Sequence, residues 1–101
     1  GGFMNIDRKF KISAVCLVHG HTHTEEDGVF FKAADAAFNR SVLDAYKREA
    51  IKFNADQRQI AAIDLLILRV EHYKETHPEK VKVGDIDKGY EDEIVNRPNE
   101  F

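Results

Sequence analysis

Three histidines, His19, His21 and His23, alternate in the stretch HGHTHTEEDG, and Glu25, Glu26 and Asp27 follow them. Imidazole nitrogen and carboxylate oxygen are donors that zinc, manganese and iron accept. Residues two apart in an extended chain lie on the same side, so the three imidazoles would face one way with carboxylates close behind. His19, His21, His23 and Asp27 are therefore the candidate ligands of a divalent transition metal. The same residues, polar and interrupted by Gly20 and Gly28, also read as a solvated loop with no cofactor at all. Short motifs match by chance often enough that this plainer reading is preferred. His72 and His77 fall at the end of a helical stretch, where the helix dipole favours an imidazolium, and that explains them without a ligand role.

The block Val18-His19-Gly20-His21-Thr22-His23 resembles the GHTH metal-binding block of calcineurin-like metallophosphoesterases, which likewise follows a strand. That resemblance implies two metals holding a phosphate ester, with His21 and His23 as ligands. His21-Thr22-His23-Thr24 with Asp27-Gly28 is similar, at altered spacing, to the opening motif of PHP-type phosphoesterases. Neither an aspartate-x-histidine motif nor a GNH block occurs in the chain. Two-metal hydrolysis needs ligands from several strands to fix both ions, so a phosphoesterase is the second reading and not the first.

The elements that must position these residues are legible from pattern. Residues 10–18 alternate, with Phe10, Ile12, Ala14, Cys16 and Val18 on one side, which predicts a strand ended by His19-Gly20. Residues 19–28 predict a loop. Residues 29–53 hold no glycine or proline, and Phe31, Ala34, Phe38, Val42, Ala45, Tyr46 and Phe53 form a stripe that only Glu49 breaks, so a long amphipathic helix is expected there, closed by Asn54. Asp56, with Gln59 three positions on, predicts the cap of a second helix that runs to about Thr76, before Pro78 forbids continuation. So short a link forces an antiparallel helical hairpin. Val81-Lys82-Val83 alternates weakly and offers the first strand a partner. The expected fold class is mainly α: a helical hairpin with a short N-terminal β-strand, at most a small two-stranded element, completed by dimerisation.

Dimerisation is expected because the second helix is apolar on too many flanks. Ile60, Ile63, Ile67 and Val70 make one face; Ala61, Leu65 and Leu68 make another, with Leu66 between them and Tyr73 extending it. A single partner helix covers one side only, and each large side chain left wet forgoes roughly 1.5–3 kcal/mol of burial. The strand or a second copy of the chain is expected to cover the rest. Phe30 and Phe31, being adjacent, cannot both face one core. Phe30, Phe31, Leu65, Leu66 and Leu68 are thus the candidate interface residues.

Composition bounds the partners. The 101 residues are 43% hydrophobic and 33% charged, with a net charge of −3, which suits one small globular domain and supplies no basic field for nucleic acid. Residues 4–84 are expected to form that domain. Residues 85–101 carry six acids against Lys88 and Arg97 and read as an acidic, largely disordered tail. Gly1, Gly2 and Phe3 precede Met4, which reads as the natural initiator, so they are expected to be a cloning remnant. Cys16 is the only cysteine, so no intrachain disulfide can form and a reducing, cytoplasmic setting fits best. The apolar run of residues 14–18 is too short to span a bilayer, and no membrane partner is expected. The expected function is a non-catalytic protein–protein interaction or regulatory module, homodimeric and with a further protein partner, in the general character of small bacterial or phage accessory proteins. The alternative is a metal-binding protein or small metal-dependent phosphoesterase using the HGHTH loop.

Overall fold

Alternation in the amino-terminal third produces strand, but less of it than the pattern suggests. The computed structural model describes residues 5–84; residues 1–3 and the acidic segment 85–101, the subjects of two expectations above, lie outside the described residues. Two compact units emerge, residues 5–30 and residues 31–84, the first a small antiparallel ribbon and the second a helical hairpin. The described chain is thus mainly α with a small β element.

In the first unit, β1 (Ser13–Val15) pairs with β2 (Thr22–Thr24), register Ser13 to Thr24, Ala14 to His23 and Val15 to Thr22. The strand predicted over residues 10–18 contracts to its centre, and its partner is the segment read as loop, not residues 81–83. Two reasons act together. Thr22 and Thr24 are β-branched and suit a pleated ribbon, and closing a short turn costs less chain entropy than recruiting a segment some sixty residues away. Cys16 N–H donates to the His21 carbonyl at 2.8 Å and Gly20 N–H to the Cys16 carbonyl at 2.7 Å, closing the turn. Gly20 sits at φ +75°, a left-handed conformation in which glycine carries no Cβ penalty.

Asp7, 7% exposed, ties the unit together. One of its carboxylate oxygens accepts the Lys9 and Phe10 amides at 2.8 Å each, and the other accepts the Phe30 amide at 2.9 Å. Burial pushes its pKa up, but the three amides and the Lys9 charge outweigh this and hold it below the ordinary aspartate value. Glu25 reinforces the join: its carbonyl accepts the Ile6 and Asp7 amides, and its carboxylate takes the Ile12 amide at 2.7 Å. Phe10 meets Phe30 edge to face, ring centres 5.1 Å apart.

In the second unit, α1 (Arg40–Lys52) and α2 (Gln57–Thr76) form the hairpin. Its sense follows from two ion pairs: Arg40 at the start of α1 meets Glu71 near the end of α2, and Lys47 meets Asp64 midway along both. Leu43 of α1 and Ile63, Ile67 and Val70 of α2 are the buried core, with Ala33, Phe38, Ala50 and Leu66 packed against them. α2 starts and stops where its residues predict. The Asp56 carboxylate accepts the Arg58 amide at 2.8 Å, while the Gln59 amide goes to the Asp56 carbonyl, so the cap relies on Arg58 where a Gln59 capping box is expected.

α1 begins eleven residues later than the absence of glycine and proline implies. Side chains compete with the helix before it. Asp35 takes the Ala37 amide at 2.9 Å, and Asn39 donates to the Ala36 carbonyl while accepting the Ser41 amide at 3.0 Å. Short polar side chains that bond nearby backbone favour turns and caps over helix interior. Asn39→Ala is accordingly expected to cost about 1 kcal/mol of stability in a denaturant melt, the usual loss of an N-cap. Asn54, at φ +61°, stands just past the Phe53 cap of α1, where the helix is expected to close.

The open end of the hairpin is also tied. The Lys74 ammonium donates to the Ala33 carbonyl at 2.7 Å and to the Asp35 carbonyl. Lys82 exchanges backbone bonds with Ala34 and Ala36, forming a parallel bridge at Asp35. Val81-Lys82-Val83 therefore pairs with the approach to α1. No helix among the described residues is long and apolar enough to cross a membrane.

Candidate functional site

The ribbon divides the predicted metal residues into two groups. His23 and Asp27 form one: Nδ1 stands 2.7 Å from the carboxylate, whose other oxygen accepts the Thr24 amide at 3.0 Å. His23 donates, since an ionised carboxylate can only accept. The His23 hydrogen bond, then the Thr24 amide, hold the Asp27 carboxyl below the ordinary aspartate value. A carbon-13 titration of Asp27 is expected to show a midpoint below 3.8 that moves back towards it in His23→Ala.

His19 and His21 form the other group, together with a residue the metal reading passed over. Their rings stack with centres 5.8 Å apart and planes 17° from parallel. Cys16 Sγ lies 3.9 Å from His19 Nδ1 and accepts the His19 amide at 3.4 Å. The amides of His19, Val18 and Gly20 around the sulfur lower the thiol pKa. Among the described residues, no three histidines, cysteines or acids converge where one ion would touch them all. Glu25 is occupied by the Ile12 amide, and Glu26 is exposed, its amide 3.3 Å from the Thr24 hydroxyl. The signal that could have found Cys16 is its spacing, Cys16-x-x-His19-x-His21.

The candidate interface residues also part company. Phe30 faces Phe10 in the ribbon unit, while Phe31 stacks on Phe38 in the helical unit, ring centres 5.1 Å apart and planes 5° from parallel. The neighbours do serve different surroundings. Leu66 is half-buried against the core, whereas Leu65 and Leu68 are 54% and 56% exposed. These two open a shallow groove of about 550 Å³ along α2, continued by Arg69, His72, Tyr73, Thr76 and His77. His77 closes the helix, its amide bonded to the Tyr73 carbonyl at 2.9 Å and its ring stacked on Tyr73 at 4.3 Å. No protein-family model, curated protein or solved structure matches the chain.

Proposed function

We propose that the chain is a non-catalytic interaction module that pairs with a second copy of itself through the outer face of α2. The observation that carries this reading is the exposure of Leu65 and Leu68 at mid-helix, 54% and 56%. Ala61, Leu65, Leu68 and His72 recur at intervals of four, three and four residues, the spacing of a coiled-coil seam. At 3.6 residues per turn they run along the side of α2 nearly opposite Ile63, Ile67 and Val70, the seam that α1 fills. A helix with two opposed apolar seams is suited to the middle of a layer.

The occupant is argued from charge as well as from apolar area. Asp64 and Arg69 flank the outer seam five residues apart, a spacing across which opposite charges meet when two identical helices run parallel. A second copy presents the same seam and the same flanking charges, which a twofold axis makes self-complementary. Two hairpins would then form a four-helix layer with both α2 helices inside. Sedimentation of the full chain tests it: twice the chain mass at micromolar concentration supports the pairing, and a single-chain mass throughout overturns it.

A further inference from the structure

We infer that the groove beside Phe10 is the docking site of an acidic segment of the same chain, residues 85–94, independently of any pairing through α2. The ribbon unit needs a cover that the described residues do not supply. Among residues 5–30 the one buried residue is Asp7, whereas Ile6, Phe10 and Phe30 are exposed. Every buried apolar residue among the described ones belongs to the helical hairpin instead. A two-stranded ribbon is marginal on its own in water and becomes stable when a further element packs on its apolar side.

The groove, about 460 Å³, has Arg8, Lys9, Phe10 and Lys11 in its lining, together with Asp7 and Glu25. The two acids are committed to the backbone: Asp7 to the Lys9, Phe10 and Phe30 amides, and Glu25 to the Ile12 amide. Lys9 and Lys11 are exposed, and among the described residues no carboxylate forms an ion pair with either. The lining therefore holds more cations than anions, set around the ring of Phe10, with Phe30 edge to face against it.

Charge, apolar spacing and reach identify the occupant. Residues 85–94 hold five acids, Asp85, Asp87, Glu91, Asp92 and Glu93, against Lys88, and among them Ile86, Tyr90 and Ile94 recur every four residues. Carboxylates interleaved with apolar side chains complement cations around an aromatic pair. The reach follows from the chain itself. Lys82 is bonded to Ala34 and Ala36, and Ala34 is four residues from Phe30, so residue 85 starts within about 30 Å of Phe30 whatever path the chain between them takes. Residues 85–94 can extend about 35 Å, which closes that gap. A tethered segment meets its site at an effective concentration of about millimolar, so contacts that are weak singly are enough to hold it.

Two measurements on the full chain test it. Carbodiimide joins a carboxylate to an ammonium it touches, and peptide mapping of an equal mixture of nitrogen-15-labelled and unlabelled chains separates links within a chain from links between chains. Lys9 or Lys11 is expected to be linked to acids of residues 85–93 within single chains. Nuclear Overhauser contacts are expected between the Tyr90 ring and the rings of Phe10 and Phe30. Lys9→Glu with Lys11→Glu is expected to reduce the docked-to-free ratio of the segment by about tenfold or more, and adding Glu91→Lys and Glu93→Lys to restore it. Raising the salt to about 0.5 M is expected to weaken the docking as well, since the pairs are exposed. Retained protection of the Phe30 amide shows that the ribbon is intact; if it is lost, Lys9→Gln with Lys11→Gln is the variant to read. Random-coil shifts throughout residues 85–94 of the folded wild type at low salt overturn the inference, as do Tyr90 contacts unmoved by the lysine variants. Links formed only between chains give the groove to another copy's segment and overturn it too.

Discussion

Replacing Leu65 and Leu68 together by glutamate is expected to raise the dissociation constant of the proposed dimer by at least about a thousandfold, with no loss of helix content. The magnitude follows from area. Full burial of an exposed leucine contributes roughly 1.5–3 kcal/mol; Leu65 and Leu68 are 54% and 56% exposed, so each contributes about half of that, and a twofold axis uses both residues on both protomers. Glutamate removes that term and adds like charges facing one another beside Asp64. Helix content is preserved because neither leucine belongs to the Leu43, Ile63, Ile67 and Val70 core. Leu66→Glu is the contrasting variant, because Leu66 packs against that core and its replacement is expected to lower helix content. Sedimentation equilibrium and far-ultraviolet dichroism on the same samples read both outcomes. A double variant that sediments like the wild type would remove the outer face of α2 from any role in association.

Asp7→Ala is expected to destabilise the ribbon unit by about 3 kcal/mol, because three amides lose a charged acceptor in a site nearly closed to water. Asp7→Asn is expected to cost less but not to be neutral. An amide side chain can keep the Lys9 and Phe10 amides on its oxygen, but it turns an N–H towards the Phe30 amide, which is also a donor. The pH dependence has a definite sign. The folded pKa of Asp7 lies below the ordinary 3.8, so its contribution is fully present above about pH 4 and disappears as the pH falls through the folded value. The protection of the Lys9, Phe10 and Phe30 amides, their exchange measured against the intrinsic rate at each pH, is expected to fall on acidification in the wild type, and to be already low and much less acid-dependent in Asp7→Asn. Equal acid sensitivity in both proteins would show that other carboxylates hold the ribbon.

What could be read from the residues divides along physical lines. α2 was legible at both ends because Asp56 and Pro78 are strong local signals that agree with a long apolar period. The start of α1 was not, since residues 29–38 lack glycine and proline yet carry Asp35, and with Asn39 the local bonds outcompete helix. The strand pairing was missed because alternating histidines read as a polar loop, while Thr22 and Thr24 between them supply the β-branched positions. For the candidate sites, residue type singled out the turn but grouped His19, His21, His23 and Asp27 by sequence adjacency. Pairing across the ribbon joins Cys16 to His21 and leaves His23 with Asp27, a partition visible only once the register is known. Asp7 had no motif to betray it, since its role depends on the amide of a residue far along the chain.

The bridge between Asp35 and Lys82, with Lys74 holding the Ala33 and Asp35 carbonyls, means that the helical unit receives and releases the chain at one doorway. A unit with neighbouring ends behaves as a cassette. Its termini can be joined by a brief linker and reopened at the Asn54 turn as a circular permutant, or it can be spliced whole into a surface loop of an unrelated host, without stretching either helix.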